Sequence, residues 1–294
     1  MTAQLKVEPE KFGGGGMPLT HKRESLFADA FRRLIRNRAA VIGGSIIIVL
    51  ALMAIFANVV AIKSFEIQIL EDQNTVPTWL IKLFPRMAGY ARINEAYPMG
   101  ADYVGRDLFS RIVFGARVSL AVAIIGPLIS LVIGVLYGSI SGFVGGRTDN
   151  IMMRVVDVLY AFPGLLFIIL LMAFFRGTLA RPTPGTFAYT ISQFDAALGG
   201  MLFIFVGIGL TAWETMARLT RGQVLSVREK EFIEAARTLG ASNLRIMFRH
   251  ILPNIVGPLV VAETLAIPGY ISTEAFLSFI GLGVNPPTPS WGAM

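Results

Sequence analysis

Five apolar runs alternate with polar stretches along this chain. The first, 39–62, is uncharged and long enough to cross a bilayer core as a helix, which takes roughly 20 residues. The others fall at about 116–144, 155–175, 196–217 and 251–283. Gly126, Pro127, Gly134, Gly138 and Gly142 punctuate the second run. Such residues are tolerated in spans, and small ones let helices approach closely. Pro163 and Gly164 predict a kink in the third run. The fifth is long for one crossing, and Pro253, Pro258 and Pro268 predict a bent or broken helix.

The polar stretches fix a topology. Residues 1–20, with Gly13 to Gly16, read as a flexible tail without the order of a signal peptide. In 21–38, Lys22, Arg23, Arg32, Arg33, Arg36 and Arg38 interleave with Leu26, Phe27, Ala30, Phe31, Leu34 and Ile35 at helical spacing. That predicts a basic amphipathic helix on a membrane surface, with the N-terminus in the cytoplasm. Residues 63–112 mix acids with scattered bases and read as an extracytoplasmic loop; 79–84 is too short to span and suits the interface. Residues 176–195 form a second outer loop. The stretch 218–250 concentrates Arg218, Arg221, Arg228, Lys230, Arg237, Arg245 and Arg249. Counting spans and counting basic charge both place it inside.

Composition agrees with an all-α polytopic membrane protein. Of 294 residues, 54% are hydrophobic and 15% charged, against roughly a quarter charged in soluble domains. The mean hydropathy is +0.64. The net charge of +7 sits beside the apolar runs, and no nucleic-acid-binding motif accompanies it. With no cysteine, disulfides, zinc–thiolate sites and cysteine nucleophiles are excluded. His21 and His250 lie far apart. The glycines before Arg147-Thr148 lack the spacing of a phosphate loop, so ATP hydrolysis is not expected of this chain. No cofactor is expected in it.

Two segments carry candidate chemistry. Residues 231–239 lack Gly and Pro, and Phe232, Ala235, Ala236 and Leu239 share an apolar face. Gly240 interrupts the pattern, and Ser242 suits the N-cap of a second short helix. An apolar face in so hydrophilic a loop predicts a protein partner. In the fifth run, Glu263, Ile267, Tyr270 and Glu274 fall on one helical face. Buried carboxylates in membranes are costly and face a cavity or a partner, so this stripe is a candidate solute path. Arg154 with Asp157, and Glu214 with Arg218, are read as local ion pairs at the membrane's inner face. An ion-gradient-driven secondary transporter using Glu263 is the competing class, though the spans show no convincing inverted repeat. A membrane enzyme would need a compact nucleophile, metal or acid–base cluster that the pattern lacks.

Glu234-Ala235-Ala236, Gly240 and Leu252-Pro253 resemble the EAA loop of ATP-binding cassette importer permeases. That family has isoleucine where this chain has His250, while its peptide branch often has the form seen in Arg249-His250-Ile251-Leu252-Pro253-Asn254. Two further stretches are similar to the oligopeptide, dipeptide and nickel permeases, in the C-type of the paired subunits. One is Met99-Gly100-Ala101-Asp102-Tyr103-Val104-Gly105-Arg106-Asp107 with Gly115 to Leu120. The other runs from Glu274 to Gly283 and on to Pro289-Ser290-Trp291-Gly292.

The resemblance implies a type I importer bundle in a bacterial or archaeal inner membrane. Its core, 113–294, would pair with a second homologous permease. Two ATPase subunits, holding ATP and magnesium, would dock through Glu231, Phe232, Glu234, Ala235, Ala236, Leu239, Gly240 and Arg245. An extracytoplasmic solute-binding protein would deliver cargo. Family members usually continue into a sixth span beyond the Trp291-Gly292 motif, so a final span is expected to follow.

Overall fold

The computed structural model describes residues 26–179 and 181–294. The expected tail and the start of the basic helix lie outside the described residues. The chain divides into a unit ending at Val49 and a larger unit running from Leu50 to Met294. In the smaller unit, α1 (Leu26–Arg36) carries Phe31, Leu34 and Ile35 exposed, with Arg33 and Arg36 in its last turn. α2 (Arg38–Ile55) follows, crossing into the larger unit.

The larger unit is helical. After the short α3 (Ala57–Val60) and α4 (Thr78–Leu83) come α5 (Leu108–Val144), α6 (Gly146–Tyr160) and α7 (Gly164–Leu179). Then follow α8 (Phe187–Ala197), α9 (Leu202–Arg228), α10 (Glu231–Thr238) and α11 (Asn243–Arg245). A π-helical turn at 246–251 leads into α12 (Leu252–Phe279). Four helical stretches are long and apolar enough to span: Arg38–Ile55, Leu108–Val144, Leu202–Arg228 and Asn243–Phe279. α6 and α7 together make a fifth if their 76° bend lies within one span.

Several boundaries differ from the expected ones, each for a local reason. The third run begins earlier, at Gly146, and bends by 76° at the expected Pro163–Gly164 position, where Pro163 has no N–H to continue the ladder. The fourth run begins a separate helix at Leu202, since Gly199 and Gly200 both take positive φ. α9 then continues to Arg228, so the polar loop proper begins there instead of at 218. The hydrophobic pattern stopped short because the end of α9 is buried on one face only.

The core is α5 against α9, the most extensive helix pair, with α12 crossing both. Gly126, Ser130, Gly134, Gly138 and Gly142 recur every fourth residue, and all are buried. A Cβ at Gly134 would stand 2.6 Å from the Met216 Cβ, and one at Gly138 would strike the Ala217 carbonyl. Small residues in this stripe therefore set the distance between the helices. On the outward side of α5, Ile124, Leu128, Val132, Leu136 and Ile140 repeat at the same interval and are exposed. At about 1.5 Å per residue, the 37 residues of α5 run well beyond a bilayer core of about 30 Å.

The segment before α5 is packed. Asp107 caps α5 by accepting from the Ser110 backbone N–H at 2.9 Å. Arg117 reaches the end of α2, donating through Nε to the Ala54 carbonyl at 2.6 Å and through Nη2 to that of Ile55 at 3.2 Å. That satisfies carbonyls a helix end leaves unpaired. Asp72 accepts from Asn94 and the Tyr97 hydroxyl, both at 2.9 Å. The Lys63 ammonium lies 3.4 Å from the Tyr97 ring centroid. Burial, then the bond to Asp72, pushes the Tyr97 phenol up to about 12.

Candidate functional site

The polar loop after α9 is built as a braced knob. α10 turns Ile233 and Ala236 inward onto Val224, Ile246, Met247, Ile251 and Ile255, forming one core. Its other face is open: Phe232 is 44% exposed and Leu239 88%. The next turns add Leu244 at 72% and Phe248 at 61%. The predicted apolar face of Phe232, Ala235, Ala236 and Leu239 is thus split. Ala235 stays outside with Phe232 and Leu239, while Ala236 belongs to the brace. Ile233, three residues before Ala236, was the missed partner, and the same helical spacing would have found it.

The helix end is shaped by Gly240. Its φ is +79°, where a residue with a Cβ is strained. The Gly240 N–H donates to the Arg237 carbonyl at 2.9 Å, and the Ala241 N–H to the Ala236 carbonyl at 3.0 Å. This is a Schellman stop. The Ser242 hydroxyl then accepts from the Arg245 N–H at 3.4 Å and caps the next turn. Glu231 and Glu234 sit in the first turn of α10 and Arg237 in its last, the arrangement that suits the helix dipole. Glu231, Glu234 and Arg245 are exposed.

The base of the knob is tied to the bundle by ionic contacts. Arg221 grips Asp149 with two bonds of 2.6 Å, and Ser141 also donates to Asp149. Arg228 donates to the carbonyls of Gly142 and Phe143 at 3.0 and 3.2 Å. These contacts join the turn between α5 and α6 to the end of α9. The two expected local pairs are replaced. Arg218 bonds Asp157 at 2.9 Å and lies 4.3 Å from the Tyr160 ring centroid, which takes it away from Glu214. Sequence spacing favoured i,i+4 neighbours, but helix packing brought a partner from α6.

A cavity of about 500 Å³ lies between α7, α9 and α12. Glu263 and Tyr270 line it, with the Tyr270 hydroxyl donating to the Glu263 carboxylate at 2.7 Å. Thr211, Thr215 and Thr273 add hydroxyls, and Ala212, Ala262, Ala266, Gly164 and Gly269 keep the wall low. The expected stripe divides here. Ile267 is half-buried and outside the lining. Glu274 is fully buried elsewhere, accepting from the Ser278 hydroxyl at 2.6 Å. There the chain folds back so closely that a Cβ on Gly292 would strike Ala275. Pro268 lies inside α12 without ending it, so the four residues stay on one helix but do not share one environment. Among the described residues, no three His, Asp or Glu side chains stand together as a metal site.

A helical membrane bundle with a largely apolar cavity holding one carboxylate, and a braced apolar knob beside it, fits the class of transport permeases. The chain belongs to the family described as binding-protein-dependent transport system inner membrane component, which matches residues 134–294. Residues 25–77 also match the N-terminal transmembrane domain of oligopeptide transport permease C. The chain is 38% identical over 281 residues to the oligopeptide transport system permease protein OppC of Bacillus subtilis, covering 96% of this chain and 80% of that one. It is 40% identical over 271 residues to the OppC of Haemophilus influenzae, covering 92% and 75%. It is 35% identical over 268 residues to the glutathione transport system permease protein GsiD of Pectobacterium atrosepticum, covering 90% and 75%. The chain is a permease subunit of an ATP-binding cassette importer and not an enzyme.

Proposed function

We propose that this subunit carries peptides across the inner membrane. Its N-terminus and the 231–249 knob lie in the cytoplasm, and two ATPase subunits dock on the knob. A second permease completes the path, and an extracytoplasmic binding protein delivers cargo. ATP-driven closure of the motors would push the knob and reorient the helices around the α7/α9/α12 cavity. The relatives named for oligopeptide, dipeptide and glutathione transport support the cargo class. The observation that carries the coupling is the knob itself. It holds Phe232, Leu239, Leu244 and Phe248 outward on a helix pinned by Ile233, Ala236 and the Gly240 stop. Exposed apolar surface of this kind marks a protein interface.

Gly240→Asp tests this reading in the reconstituted complex. It is expected to leave assembly partly intact while ATP hydrolysis no longer drives uptake. Uptake at the wild-type rate would overturn the coupling role. Purification without an ATPase, together with uptake abolished by an ionophore, would favour an ion-gradient-driven carrier instead.

A further inference from the structure

The cavity between α7, α9 and α12 has a neighbour. Where α6 gives way to α7, a second cavity of about 440 Å³ is lined by Tyr160, Phe162, Pro163, Leu210 and Glu214, among others. Gly164 and Thr211 line both cavities, so one thin wall separates them. Each cavity has a single charged lining residue, and in both it is a carboxylate: Glu263 in the first, Glu214 in the second.

Both carboxylates are more than nine-tenths buried, at 6% and 7% exposed. Glu263 accepts the Tyr270 hydroxyl on one oxygen. Glu214 accepts no hydrogen bond among the described residues. Its nearest counter-charge is Arg218, which attracts it electrostatically but has its guanidinium bonded to Asp157 and set over Tyr160. A carboxylate that faces a cavity in a membrane bundle with no bonded partner, as at Glu214, or with only a neutral one, as at Glu263, carries an uncompensated charge. A passing cation would compensate it at each position. The remaining lining is uncharged: Leu165, Ile168, Ile208, Met216 and Leu219 make apolar walls in the first cavity and the other positions are small or hydroxylated, which leaves the carboxylate as the one group there that discriminates by charge.

Resting on the peptide-import reading, we propose that these cavities are successive stations for a protonated side-chain amine of the cargo. Glu263 and Glu214 receive the ammonium in turn, across the wall at Gly164 and Thr211. A bare metal cation fits less well, because the two carboxylates line different cavities and, among the described residues, neither lining holds a second acidic or histidine ligand.

The test uses the whole complex in proteoliposomes, with binding protein and ATP. Three tripeptides of equal length, with central lysine, glutamine or glutamate, are supplied at saturation. The wild type is expected to import the lysine peptide about tenfold faster than the glutamate peptide, equivalent to about 1.4 kcal/mol in barrier. Glu263→Gln and Glu214→Gln should each shrink that ratio to about threefold or less. A wild-type ratio near one would overturn the proposal. So would variants in which all three rates fall together at an unchanged ratio, the mark of a purely structural role. The two residues lie on different helices, so failure of one variant to assemble leaves the other, and the wild-type ratio, to decide. ATP-driven uptake of none of the three peptides would instead overturn the peptide-import reading.

Discussion

Replacing Gly138 with alanine adds one methyl group where α5 packs directly on the backbone of α9. Its Cβ would lie 2.7 Å from the Thr220 Cβ and 3.0 Å from the Arg221 backbone nitrogen, and closer still to the Ala217 carbonyl. Ordinary carbon–carbon contact needs about 3.5–4 Å, so α5 and α9 must part by roughly 1 Å. The obstructing atoms are mostly backbone, which cannot rotate aside. Overpacking of this kind costs about 1–3 kcal/mol. Parting the helices also loosens the contacts at Gly134 and Gly142, which face the same helix. Alanine's better helix propensity returns up to about 1 kcal/mol. The net expectation is a loss of about 1–2 kcal/mol, near the upper part of the overpacking range less the propensity gain. Gly222→Ala is the control, because that glycine is also helical but has nothing within 4 Å of the added Cβ. Thermal unfolding of both variants in the same detergent should lower the midpoint for Gly138→Ala and hold or raise it for Gly222→Ala. Equal midpoints would refute the claim that the glycine stripe sets the helix separation.

Gly240→Ala meets no neighbour, so its cost is the left-handed backbone alone, about 1–2 kcal/mol, and it should appear as faster hydrogen exchange confined to residues around 236–241. Leu239→Asp changes a side chain with little packing to lose; the midpoint should stay within experimental error while ATPase co-purification falls about tenfold or more. Asp149→Asn leaves Arg221 without its counter-charge, and because Arg221 is 35% exposed the loss should be about 1–3 kcal/mol, below that of a sealed pair, read by denaturant titration. Asp102 feels burial as its largest influence, which raises it, but bonds from the Arg106 backbone and side chain and from the Val104 N–H outweigh this and hold it below 3.8. Its contribution is therefore present above the unfolded value and lost as pH falls through the lower folded value, so exchange protection at Val104 and Arg106 should fade below about pH 3.8 and persist in neutral buffer.

The apolar runs were legible because a lipid-facing helix must be hydrophobic for most of its length. The glycine stripe was visible as spacing, though which helix it faced was not. That choice depends on α9 presenting Ala217 and Thr220 at the matching level, a fact of packing. The knob was legible as a helix, a break and a cap, since Gly240 and Ser242 act on their own neighbourhoods. Its inner face was only half legible, because Ile233 and Ala236 bury against Ile246 and Ile251 across a π-helical turn that shifts the register. Asp157 and Glu214 were misread for the same reason. Each has a cation at local spacing, yet Arg218 found Asp157 61 residues away in the chain.

Stiff and yielding parts of the fold are distributed in a way that bears on transport. From Gly126 to Gly142, α5 cannot shift against α9 without opening close contacts, and the Asp149–Arg221 and Arg228 bonds tie their ends together. On the proposed coupling, a push on the knob would move α9 and α5 as one body. The path from α6 to α7 is different. Its backbone ladder is already interrupted at Pro163, and Gly164 comes no nearer than 3.4 Å to Thr211 even with a Cβ added. Rotation at that bend meets no obstacle at Gly164 itself and would slide Val156 and Ile168 over α9, against which both pack. It would change the wall shared by the two cavities, and so the passage between Glu263 and Glu214. Thr211→Val keeps the volume of this wall but removes the hydroxyl that bonds the Gly207 and Ile208 carbonyls at 3.0 and 3.1 Å. Thr211→Phe fills the gap to Gly164. If the shared wall is the gate, the phenylalanine variant should stop peptide uptake while ATP hydrolysis continues, and the valine variant should retain most uptake. Uptake by Thr211→Phe at the wild-type rate would move the gate elsewhere.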